Sequence, residues 1–140
     1  MEKAGKCMKP TFKKKAYQIC TDNEVDRIER ELSIPLTDSY KNFITSTGIP
    51  SHVIRTLSLP DVDIKLVAPT EVIKQTIRRH QMGMPKDLVL IGRDSCGNGV
   101  CLNPTKDEYI YLFDHDLLAV YIIAENFEEL ILNQDKEEQC

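Results

Sequence analysis

The stretch Leu88 to Asn103, "LVLIGRDSCGNGVCLN", decides how the rest of the chain folds. Leu88 to Ile91 is a short apolar run; Gly92 and the turn-forming Gly97, Asn98 and Gly99 follow, and Val100 to Leu102 resumes the apolar character. Two apolar runs too short for helices, separated by residues that tolerate tight backbone turns, predict a β-hairpin. Downstream, Tyr109 to Phe113 follows an Asn103-Pro104 turn, and Leu117 to Ile123 follows Asp114, His115 and Asp116, which predicts two further strands. Strands joined by such short turns pair antiparallel, because a parallel crossover needs a dozen or more residues.

Upstream of the hairpin the period changes to that of helices. Thr21 and Glu24 have capping-box spacing, and Val25, Ile28 and Leu32 fall on one stripe among charged neighbours. Ser33, Ile34 and Pro35 interrupt this helix. Thr37 and Asp38 then offer a new N-terminus for a segment in which Leu36, Tyr40, Phe43 and Ile44 share a face and which ends near Gly48. Pro50, Pro60 and Pro69 bound two runs containing β-branched residues, Val53 to Leu59 and Val62 to Val67, predicted as strands. Thr70 is expected to cap a third helix with Val72, Ile73 and Ile77 on its inner face, Arg78, Arg79 and His80 against its dipole, and Gly83 and Pro85 as its stop. Asn126 followed by Glu129 caps a closing helix carrying Phe127, Leu130 and Ile131.

The predicted order is therefore ααββαββββα. This is an α+β fold with a mostly antiparallel sheet and helices packed against it, rather than an alternating βαβ fold. Residues 1–18 are Lys-rich without either period and are expected to form a flexible basic arm; 19–133 form a single domain, and 134–140 an acidic tail.

Composition narrows the function. The chain of 140 residues is 41% hydrophobic and 29% charged, the profile of a globular domain able to fold without a metal or disulfide staple. Its net charge of -4 is unevenly spread: six of the lysines lie between Met1 and Lys15, leaving the rest of the chain near about -9. An acidic body is repelled by phosphate backbones, so a basic protein partner fits better than nucleic acid. The longest uncharged apolar run, Leu117 to Ala124, is less than half the ~20 residues that cross a bilayer. The basic start lacks the apolar stretch of a signal peptide, and five cysteines make an odd number. A cytoplasmic protein with reduced thiols and no membrane insertion is expected.

"IERELSIPLTDSYKNFITSTG" (Ile28 to Gly48) resembles the opening motif of the SUKH superfamily, in which an acidic helix leads through a Leu-Pro turn into a Tyr/Phe helix. The hairpin quoted above, "YIYLFDHD" (Tyr109 to Asp116) and "NFEELI" (Asn126 to Ile131) are similar to that family's hairpin, following strand and closing helix, in the family's order. Leu36-Thr37 stands where the family usually has Leu-Pro, and the chain has no Trp. The resemblance implies a bacterial immunity protein that binds and neutralises a cognate polymorphic toxin, or a relative of the fungal cell-wall-assembly regulators. Neither role requires catalysis or a cofactor, and no residue role transfers by motif.

Candidate sites are weighed on their own residues. Cys96 and Cys101 flank a Gly-rich turn, but a structural zinc needs four ligands, and Cys7, Cys20, Cys140, His52, His80 and His115 are scattered. A Cys/His hydrolase would place His115 beside Cys96, with Asp116 as its orienter; against it, Gly97 to Gly99 are what a hairpin turn requires. Asp114, His115 and Asp116 read as a polar turn in preference to a cation site. Gly92, Gly97 and Gly99 precede no helix and make no phosphate cradle. The expected partner-binding residues are the carboxylates at strand ends and loops: Asp61, Asp63, Asp94, Asp107, Glu108, Asp114 and Asp116. Sharing one sheet edge, they would steer a basic toxin domain, such as a nuclease with a positive groove.

Overall fold

The computed structural model describes residues 19–49, 54–55 and 63–131, with 54–55 as backbone alone. The basic arm, the acidic tail, most of the Val53 to Leu59 strand, and Asp61 lie outside the described residues.

Helix α1 (Asp22–Leu32) starts with the expected capping box: the Glu24 amide donates to Thr21 Oγ1 at 3.1 Å, and the Thr21 amide donates to Glu24 Oε1 at 2.8 Å. It ends at Ser33, whose φ of 57° turns the chain while its amide and that of Ile34 close onto Arg30 and Glu29 carbonyls. Glu29 then holds the link to the next helix, accepting from the Leu36 amide at 2.7 Å and pairing with Lys41 at 3.4 Å. Helix α2 (Asp38–Ser46) buries Tyr40 and Ile44.

Strands β1 (Ile54–Arg55) and β2 (Asp63–Leu66) precede helix α3 (Pro69–Gln81). Strands β3 (Val89–Asp94), β4 (Gly99–Leu102), β5 (Ile110–Asp114) and β6 (Ala119–Ala124) follow, and residues 127–131 are helical. The strands form one sheet in chain order, with every neighbouring pair antiparallel. The predicted α+β class and element order are those observed.

Alternate strand residues feed two apolar clusters on opposite faces of the sheet. Val89, Ile91, Val100, Leu102 and Ile110 join α1, α2 and the closing helix, where Tyr40 and Phe43 meet the Phe127 ring edge-on at 5.1 and 5.2 Å. Leu90, Cys101, Tyr111 and Phe113 pack with Met84 and Leu88, which return from α3 across the other face. Strand β4 is thus buried on both faces.

Three boundaries differ from expectation. Pro69 occupies the first turn of α3 and Ala68 is its cap position, so Thr70 is not the cap; proline needs no amide partner there. The inner face of α3 is Val72 with Thr76, whereas Ile77 is 42% exposed. Thr76 Oγ1 accepts from the Leu90 amide at 3.0 Å and lies 3.5 Å from the Leu90 carbonyl oxygen. The helix takes the place of a strand where β2 has ended, and a hydroxyl is what that bare backbone requires. Leu117 and Leu118 belong to the β5–β6 turn, Leu118 at φ 54°, and β6 begins only at Ala119.

Candidate functional site

An antiparallel sheet brings alternate turns to the same end. The start of β2, the β3–β4 turn and the β5–β6 turn share one end of this sheet, which gathers Asp63, Asp94, Asp114 and Asp116. Asp107 and Glu108, in the loop from β4 to β5, lie at the other end. The expected acidic residues therefore divide between the two ends.

Several of these carboxylates are used by the fold. Asp94 is 9% exposed; its Oδ1 accepts from the amides of Cys96 at 2.9 Å and Asn98 at 2.8 Å, and its Oδ2 from the Asn98 side chain at 3.0 Å. It builds the β3–β4 turn from inside. Glu108 accepts from the Asp38 and Ser39 amides at 3.3 and 3.4 Å and from the Ser39 hydroxyl at 3.0 Å, supplying the α2 cap that Thr37 does not. Thr37 Oγ1 is buried without a hydrogen-bond partner. Asp107 accepts from the Tyr109 amide and, at 2.6 Å, from the Tyr111 hydroxyl. Burial first, then that bond, pushes the Tyr111 phenol up to about 12.

Asp114 shapes the β5–β6 turn, its Oδ1 accepting from the amides of Asp116 at 2.9 Å and Leu117 at 3.0 Å. Asp116 projects outward with its side chain 84% exposed. The two turns are tied together: Asn98, itself held by Asp94, accepts at Oδ1 from the His115 amide at 3.2 Å and from His115 Nδ1 at 2.8 Å. Gly97 completes the β3–β4 turn beside them at φ +87°, a backbone conformation that side chains rarely adopt. Asp94, Asn98, His115 and Asp116 thus form a braced acidic corner beside β6.

The charge of this end changes along the sheet. Near β2 and β3 an open depression of about 410 Å³ is lined by Asp63, Lys65, Arg93, Asp94, Ser95 and Gly97, with acid and base opposed. Around the β5–β6 turn Asp114, His115 and Asp116 stand together, and Arg79 reaches the adjoining turn, its Nη2 donating to the Gly97 carbonyl at 2.6 Å.

The thiols are arranged as structural side chains. Cys101 is fully buried with its Sγ 3.6 Å from Met84 Sδ, and burial pushes its thiol up to about 12, against a small lowering by Arg79. Burial, followed by the charge of Glu24, raises Cys20 to about 11. Cys96 is exposed, and His115 turns its ring nitrogens toward Asn98 and Asp116, the latter at 3.5 Å from Nε2, so no Cys96–His115 hydrogen bond forms. Among the described residues no three His, Cys, Asp or Glu side chains converge to hold a metal, and no helix is long and apolar enough to cross a membrane.

Thr76 and Ser39 carry no local signal of their roles, because their partners Leu90 and Glu108 lie 14 and 69 residues away. Asn98 is legible as a turn residue between two glycines, but its bond to His115, 17 residues away, is not. Comparison with known proteins gives a match of residues 19–133 to the family model described as the SMI1 / KNR4 family (SUKH-1). No curated protein matches the chain.

Proposed function

The chain belongs to the SMI1 / KNR4 family (SUKH-1), and from that premise we propose that it is a non-enzymatic binding module that neutralises a cognate toxin domain by covering its active surface. The observation that carries this reading is the family match across the whole described fold. Its chemistry is non-covalent: the module binds, excludes substrate from the partner and releases nothing.

The braced corner supports a basic partner. Asp116, its side chain 84% exposed beside His115, can reach a partner's cation, while the Asp94–Asn98–His115 network holds its turn in place before contact, so little conformational entropy is lost on binding. Carboxylates so placed raise the encounter rate with a positive surface and select against acidic ones. A nuclease-type toxin, whose substrate groove must be positive, has the complementary charge.

Co-expression with the toxin encoded beside its gene tests the reading. The expected result is a stoichiometric complex that survives gel filtration and removes the toxin's activity; separate elution of the two proteins with the toxin still active contradicts it.

A further inference from the structure

Among the described residues strand β6 closes one side of the sheet, with β5 as its strand neighbour. A sheet edge presents a row of backbone amides and carbonyls that only another extended chain satisfies well, and proteins commonly blunt such edges with Lys, Pro or a bulge. Here Leu117 to Ala124 contains no charged residue and no proline. The one register irregularity of β5–β6 falls at Ile123, so Ala119 to Ile122 run in regular pairing. Exposure along this stretch is high for apolar side chains: Val120 40%, Tyr121 48% and Ile122 58%, with Leu118 at 59%. Val120 and Ile122 stand opposite Phe113 and Tyr111, which places them on the face of the second apolar cluster and extends that cluster to the edge.

Acid flanks the apolar strand on both sides, with Asp114 and Asp116 before it and the exposed Glu125 and Glu128 after it. A second copy of this chain, paired antiparallel along β6, would set Asp116 of each copy near Glu125 of the other, a like-charge contact at both ends. An incoming strand with cations at its ends meets attraction there instead.

The geometry points to β6 as the docking edge for an extended segment of a protein partner, apolar at alternate positions and carrying Lys or Arg at both ends. Backbone pairing to β6 supplies the affinity, Val120 and Ile122 receive the apolar positions, and the acidic flanks fix register and exclude acidic strands. The inference rests on the reading of this chain as a module for a basic protein partner and names the surface it would use.

The test titrates the isotope-labelled full chain with a synthetic peptide, Lys-Lys-Thr-Val-Thr-Val-Thr-Lys-Lys, and with its twin in which glutamate replaces every lysine, following backbone amide resonances. The lysine peptide is expected to give saturable shifts confined to residues 117–125 and slower amide exchange there, with the glutamate peptide weaker by about tenfold or more. In V120K/I122K, whose exposed sites leave the fold intact by its thermal midpoint, the shifts vanish. Absent shifts on β6, equal binding of the two peptides, or persistence in the double variant overturns the inference. So does concentration-dependent dimerisation that protects the same amides without peptide, because the edge then belongs to a second copy. The peptide reads the edge alone, so its failure leaves the co-expressed toxin complex standing, and failure of that complex leaves the peptide result standing.

Discussion

Glu108 joins a loop to a helix seventy residues earlier in the chain: its carboxylate closes the amides of Asp38 and Ser39 that α2 leaves open. Glu108→Ala should therefore lower stability by about 0.5–2 kcal/mol in denaturant melts, the usual cost of losing a helix cap. Thr37→Val should be neutral or slightly stabilising in the same melts, because the buried hydroxyl it removes has no partner. Cys101 makes a different demand. Its folded-state thiol is raised to about 12 by burial, so the folded chain holds a proton that the unfolded chain gives up above the ordinary thiol value. The stabilisation is complete below that ordinary value and is lost as pH rises toward about 12. Denaturant midpoints should fall across this alkaline window, and Cys101→Ala, though less stable throughout, should show a shallower fall; an unchanged slope would show that this thiol does not carry the effect.

Among the elements, β2 and β3 approach each other closely at Gly92. A Cβ at Gly92 would lie 2.9 Å from the Lys65 carbonyl oxygen and 3.3 Å from the Leu66 Cα, both backbone atoms that cannot step aside. Gly92→Ala should push β2 outward at a cost of roughly 1–3 kcal/mol, seen as a lowered midpoint and faster amide exchange in β2 and β3. Local signals at this scale were legible. The capping box of α1, the Tyr40–Ile44 face of α2 and the Gly97–Gly99 turn each depend on residues close in the chain, and each is found where it was expected. What escaped depends on distant partners. Thr76 looks like a polar break in the α3 stripe until the bare backbone of Leu90 stands beside it, and Ile77 fits a helical period although no element among the described residues buries it. The carboxylates behave alike: as sequence, Asp94 and Asp116 are equal loop charges, and only the hairpin network makes one an internal brace and the other an exposed tip.

At the scale of the whole molecule, two apolar clusters fix a sheet whose middle strand is buried on both faces, leaving little freedom for the ends to rearrange. At one end the turns are tied to each other through Asn98 and His115, with Asp114 and Asp116 beside an uncharged edge strand. Under the proposed function such a surface acts through encounter and fit, so its signature is kinetic. The most direct measurement is the association rate with the toxin domain that the proposed function requires, followed from low to high salt for the native chain and for D114N/D116K, in which Asn can keep the turn bonds of Asp114. The account predicts a rate that falls steeply with salt in the native chain, by about tenfold or more, and that starts low and varies little in the variant. Equal rates and equal salt dependence for the two proteins would contradict it.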